Sequence, residues 1–224
     1  NRCRRQRQMC IRDRSTTTGS GANDGILNLG NEVIILSDTV IDANSLISVA
    51  TSSVGNIYVG ELINIQGTIE SVNALYDTYT NIQSLGNESI TITDNVGGSA
   101  SLATLDGNTS GIIDVDSLYE IEGALQELNS VYGSTQFTGL KNEDVTLTDI
   151  TISATYDVSY LNNLDGYTSG IVNAGTLTTI SGFLSDLLTS YQAGGITNLG
   201  NEAITLKDAN TVAASDLTTL AALN

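Results

Sequence analysis

The sequence predicts an α/β fold made of tandem units of about 56 residues, each running strand, short helix, strand, longer helix and stacked on the next as a solenoid-like array. Three observations predict it. Leu29, Gly30, Asn31, Glu32 recurs as Leu85, Gly86, Asn87, Glu88, as Leu140, Lys141, Asn142, Glu143 and as Leu199, Gly200, Asn201, Glu202, at intervals of 56, 55 and 59 residues. Gly55, Gly111 and Gly170 each open a matching series of apolar positions that ends at Tyr76, Tyr132 and Tyr191. Within every unit the apolar spacing changes from strict alternation to a helical 3-4 pattern.

The elements follow in order. After each Asn-Glu pair, Ile34 and Leu36, Ile90 and Ile92, Val145 and Leu147, and Ile204 and Leu206 alternate with polar residues, as in a half-buried strand. Next come apolar pairs spaced i and i+3 (Leu46 and Val49, Leu102 and Leu105, Leu161 and Leu164, Leu217 and Leu220), behind Ser, Asn or Asp residues able to cap a helix. A short helix is expected there. A second strand is expected at Ile57 and Val59, Ile113 and Val115, and Val172 and Ala174. From Leu62 to Tyr76, and in its two copies, the spacing predicts one longer helix.

Gly67, Gly123 and Gly182 fall inside that stripe, where glycine costs ~1 kcal/mol relative to alanine. They mark either a break before the main helix or a close approach between neighbouring backbones. Asp106 with Gly107 and Asp165 with Gly166 read as turns. Thr78 to Ser84 and Gly133 to Gly139 read as loops between units. The competing architecture is an all-β solenoid in which the leucine pairs form further strands, kept open by the 16-residue offset from Leu46 to Leu62, Leu102 to Leu118 and Leu161 to Leu177. The units are expected to span residues 26–81, 82–136 and 137–195, with a truncated fourth at 196–224 and a linker at 15–25; the mid-unit end suggests a fragment, the alternative being a complete protein with an incomplete capping unit.

Residues 1–14 stand apart. They hold six of the eight basic residues, both cysteines (Cys3, Cys10) and the methionine, Met9. The run Met9, Cys10, Ile11, Arg12, Asp13, Arg14 resembles the conceptual translation of a sequencing-library adapter, which implies an artefactual, disordered N-terminus. The alternative is a genuine basic arm that binds nucleic acid or anionic lipid.

The formal net charge is −17, and it becomes −22 for residues 15–224, whose cations are Lys141 and Lys207. Such a field opposes binding to nucleic acid or an anionic membrane. Without His or Cys in that stretch, zinc centres, thiolate chemistry and histidine-based triads are excluded. No apolar run approaches the ~20 residues of a membrane span, so no membrane insertion is expected.

The recurring acids are the candidate site. Asp38, Asp94, Asp149 and Asp208 each follow the unit's first leucine by nine residues, at a strand end before a predicted helix. They suit helix caps or Asx-turns. With Glu32, Glu88, Glu143 and Glu202 they also suit Ca²⁺, a hard cation that takes carboxylate oxygens, although neither the EF-hand spacing nor a Gly-rich nonapeptide is present. Asn31, Asn87, Asn142 and Asn201 suit turns or an asparagine ladder. Tyr76, Tyr132 and Tyr191 suit packing between units or a row that stacks on ligands. Paired carboxylates can cleave glycans, but a catalytic constellation is unique whereas these acids repeat with the unit. No catalytic residue and no resident cofactor is expected.

Leu-Gly-Asn-Glu, Ile-Thr-Leu-x-Asp and Leu-x-x-Leu-Asp-Gly-x-Thr-Ser-Gly-Ile (Leu102 to Ile112; Leu161 to Ile171) together resemble the tandem repeats of giant, acidic, secreted or cell-surface, adhesin-like proteins of marine bacteria and cyanobacteria. The resemblance covers residues 26–224. It implies an extracellular location, type I export, a role in adhesion, surface coating or motility, and as partners a cell-surface glycan or neighbouring repeats of the parent chain.

Overall fold

The chain is mixed α/β with parallel sheets. The computed structural model describes residues 30–224 except 154 and 210. The basic N-terminal segment, the linker and the opening of the first unit lie outside the described residues.

Each unit divides into two half-units, and each half-unit ends in a helix. The first half-units carry α1 (Ala43–Ser52), α3 (Ser99–Asn108), α5 (Val158–Tyr167) and α7 (Ala214–Leu223). The leucine pairs lie on these helices, which corrects the all-β alternative. The physical reason is spacing: Leu46 and Ala50, or Leu102 and Leu105, fall on one helical face and are buried together. The second half-units carry α2 (Ile69–Asp77), α4 (Leu125–Gly133) and α6 (Leu184–Gln192).

Strands run parallel and pair with segments 23 to 27 residues away, for example Ile90↔Ile113 and Val145↔Val172. The structural period is therefore about half of the 56-residue sequence period. One ladder joins β2 (Val40–Asp42), β4 (Asn64–Gly67), β6 (Ser89–Ile92), β8 (Ile113–Asp114) and β10 (Phe137–Thr138). A second joins β7 (Val96–Gly98), β9 (Glu120–Gly123), β11 (Asp144–Leu147), β12 (Val172–Asn173) and β14 (Ile196–Thr197). Shorter ladders join β1 (Ile34–Ile35), β3 (Ile57–Tyr58) and β5 (Ile82–Gln83), and β13 (Thr179–Gly182) with β15 (Ala203–Leu206). β6 pairs with the second strand of the preceding half-unit on one side and with the first strand of the following one on the other. β11 repeats that arrangement, so the ladder moves over by one strand position per unit.

Consecutive helices pack on one another from α1 to α7. One apolar cluster runs from Ile34 to Leu220 without a break at any unit boundary.

Three expectations are corrected. The stripe from Leu62 to Tyr76 is not one helix. Ile65 lies in β4, and the helix starts only at Ile69, capped by the Thr68 side chain on the Ser71 N–H. Ile65 and Ile69 both point inward, so the 3-4 spacing survives the change from strand to helix. The Asp-Gly pairs at 106–107 and 165–166 lie in the last turns of α3 and α5 and not in turns between elements. The supposed loops between units hold β5 and β10.

Gly67, Gly123 and Gly182 end their strands against the first residue of the preceding helix. A β-carbon at Gly67 would stand 2.8 Å from the Ala43 β-carbon, and at Gly123 and Gly182 it would overlap Ser99 and Val158. These glycines do mark the break before the main helix, and the close approach there is with a neighbouring side chain and not with neighbouring backbone.

Candidate functional site

The four Leu-x-Asn-Glu turns are the most elaborated features of the chain. Left-handed backbone appears at Gly30, Gly86 and Gly200, with φ of 66°, 127° and 141°, and again two residues earlier at Ser84, Gly139 and Asn198. The asparagines expected to hold that conformation stand one position too late. Asn87 instead accepts a hydrogen bond from the Ser110 hydroxyl at 2.8 Å.

Each glutamate folds back over its own turn. Glu88 Oε2 accepts the N–H groups of Gly86 (2.8 Å) and Asn87 (3.2 Å) and the hydroxyl of Tyr76 (3.3 Å). Glu143 accepts the Lys141 N–H at 3.0 Å and the Tyr132 hydroxyl at 3.1 Å. Glu202 accepts from Gly200 at 2.9 Å and from Tyr191 at 2.7 Å. All three are buried, so these donors replace the water each carboxylate gives up. Glu32 is exposed, with its carboxylate beside Gly30. Burial, and after it the adjoining carboxylate, push the Tyr76, Tyr132 and Tyr191 hydroxyls far above the ordinary tyrosine value of 10.0.

The following half-unit closes on the same turn. The N–H groups of Val54, Ser110 and Ser169 donate to the carbonyls of Gly30, Gly86 and Lys141. The Thr109 and Thr168 hydroxyls donate to the carbonyls of Glu88 (3.1 Å) and Glu143 (2.7 Å). Gly55, Gly111 and Gly170 lie so near the carbonyls of Glu32, Glu88 and Glu143 that no β-carbon could fit. This explains why those glycines open the repeat.

The recurring aspartates do cap helices, but behind them in the chain. The first N–H of α2 (Ile69) donates to Asp94 Oδ2 at 2.7 Å, that of α4 (Leu125) to Asp149 at 2.6 Å, and that of α6 (Leu184) to Asp208 at 2.8 Å. Each carboxylate thereby ties a helix N-terminus to the next unit. Asp38 is exposed. Sequence reasoning missed the direction because an Asp at a strand end suggests the helix after it.

Apart from the exposed Asp38, the candidate ligands are dispersed over caps and turns. Among the described residues no group of three or more acidic or thiol or imidazole side chains is placed to hold a metal ion.

The solvent side of the sheets mixes exposed apolar residues such as Ile35, Val40 and Val96 with polar ones that bond to one another. Asn64 donates to Thr91 at 3.1 Å, Thr146 to Glu120 at 3.1 Å and Asn198 to Asn173 at 2.8 Å, each across neighbouring strands. An open groove of about 210 Å³ runs past Glu120, Asp144, Thr146, Asn173 and Asn198. A local staple joins Lys207 to Asp157 at 2.6 Å, with the ammonium 5.4 Å from the centre of the Phe183 ring. Desolvation raises the Asp157 carboxyl, but the hydrogen bonds from Lys207 and Ser159 outweigh it and hold the group below its ordinary value of 3.8. Among the described residues no helix is long and apolar enough to cross a membrane.

The chain matches no protein-family model, no curated protein and no solved structure.

Proposed function

We propose that this chain is a structural segment of a large extracellular surface protein, in which 56-residue units stack as a solenoid-like array and serve as spacer or adhesive stalk, without catalysis. The observation that carries the reading is the apolar cluster that continues from Ile34 to Leu220 through every unit boundary. A ~56-residue unit alone would be marginal in stability, so sharing a core between units favours long arrays. The turn closures and aspartate caps add directional hydrogen bonds at the same junctions.

The repeated acids support a structural role, because each buried glutamate accepts hydrogen bonds from its own turn and from a tyrosine of the preceding helix. High negative charge keeps such arrays apart in solution. The extracellular placement and type I export rest on the resemblance to secreted surface repeats. A cell-surface glycan is the partner class that the hydroxyls and amides along the groove would suit.

A thermal melt of residues 15–224 with and without millimolar Ca²⁺ tests the reading. A structural spacer keeps its Tm, whereas a rise of several degrees would replace it with a calcium-binding repeat module.

A further inference from the structure

Every junction between half-units is bonded in the same way. From the first half-unit to the second, β1 pairs with β3 and β2 with β4; from the second to the third, β3 pairs with β5 and β4 with β6. The next two junctions are crossed by β6 with β8 and β7 with β9, then by β8 with β10 and β9 with β11. β11 with β12 and a bridge from Thr151 to Thr179 cross the fifth, and β12 with β14 and β13 with β15 cross the sixth. A helix contact accompanies each junction, from α1 on α2 to α6 on α7.

The sideways step of the ladders produces this evenness. Where one ladder ends, at β5 or β10, the same half-unit opens another, at β7 or Thr151, so a lost pairing is replaced at once. Side-chain anchors are divided as evenly. Glu88 accepts from Tyr76 in the half-unit before it, while its carbonyl accepts from Thr109 in the half-unit after it. The 56-residue recurrence therefore has no seam at its boundaries.

We infer that the chain is an extensible spacer whose mechanical element is the half-unit: tension on its ends peels off one half-unit at a time, and each released segment re-forms on the stack that remains. The pairings join successive half-units, so a pull along the stack loads the bonds of one junction before those of the next. Because each junction carries the same kinds of bond, no two half-units are fused into a larger block. Paired segments stand 23 to 27 residues apart, so each junction that opens frees about 80–100 Å of extended chain. The remaining stack presents a formed strand pair and helix face, which spares a released half-unit the cost of nucleating alone. Heating acts on all junctions together, so one cooperative thermal transition is compatible with stepwise release under tension. The inference rests on the stacked reading given above.

The test holds the full chain by its two ends in an optical trap and stretches and relaxes it repeatedly. Expected is a series of steps that each lengthen the chain by about 80–100 Å and are recovered on relaxation. Glu88→Gln should show the same step length, with two steps at lower force. Steps of about 200 Å, the extended length of one sequence unit, would overturn the inference, as would one event of about 700 Å that releases all the described residues together. Steps that never recover would also overturn it. If it fails while an isolated 82–136 peptide does not melt cooperatively, the stacked reading stands. Steps of about 200 Å together with a peptide that melts at the temperature of the longer chain would remove both.

Discussion

The α-carbon of Gly111 lies against the carbonyl oxygen of Glu88, at a separation that excludes any β-carbon. Two residues 23 positions apart are thus held in backbone contact across the middle of a unit, and the same contact recurs between Gly55 and Glu32 and between Gly170 and Glu143.

Gly111→Ala should therefore cost about 3 kcal/mol or more, since backbone must move on both sides. Gly107 provides the contrast, because it lies in α3 with open space where a β-carbon would go. Gly107→Ala should be neutral or stabilise by up to ~1 kcal/mol. Urea unfolding of the two variants checks the pair.

Glu143→Gln should lower stability by about 1.5–3 kcal/mol, the range for hydrogen bonds to a buried charged acceptor. The exposed Glu32 has no such burial, and Glu32→Gln should cost well under 1 kcal/mol. Denaturation midpoints at neutral pH separate the two.

The half-buried Tyr76, Tyr132 and Tyr191 hydroxyls bind their protons more tightly in the folded chain than in the unfolded one. Their contribution is fully present below the unfolded value of about 10 and is lost as pH rises toward the folded value. Tm should fall above about pH 10. In the Tyr76→Phe, Tyr132→Phe, Tyr191→Phe triple variant that alkaline fall should be shallower. Ultraviolet titration should show the Tyr76, Tyr132 and Tyr191 hydroxyls ionising above the ordinary tyrosine value of 10.0.

Asp157 behaves in the opposite sense. Its folded value is depressed, so the staple to Lys207 stabilises the chain above the unfolded carboxyl value near 3.8 and is lost as pH falls through the folded value. Lys207→Met should reduce Tm at pH 7, and the difference from the parent chain should vanish in acid. Melts between pH 2 and pH 7 read this directly.

Much of this was legible in the sequence, but at the wrong period. The 56-residue recurrence is real, yet strands pair 23 to 27 residues apart because two half-units with different consensus residues adopt the same strand-and-helix form. Leu102 and Leu105 identified their helix because both lie on one buried face. Ile65 to Tyr76 misled, since an inward strand residue and the first helical residue happen to stand four apart. Ile82–Gln83, Phe137–Thr138 and Ile196–Thr197 are too short for alternation to register. The aspartate caps and the glutamate–tyrosine bonds link residues 11 to 25 positions apart, and no local pattern specifies such partners.

The central claim is that no unit can bury its apolar face alone, so stability resides in contacts between units. Circular dichroism of a peptide comprising residues 82–136, melted beside residues 15–224, tests it most directly. The account predicts no cooperative transition for the single unit and one cooperative transition for the longer chain. A single unit that melts cooperatively at the temperature of the longer chain would contradict it.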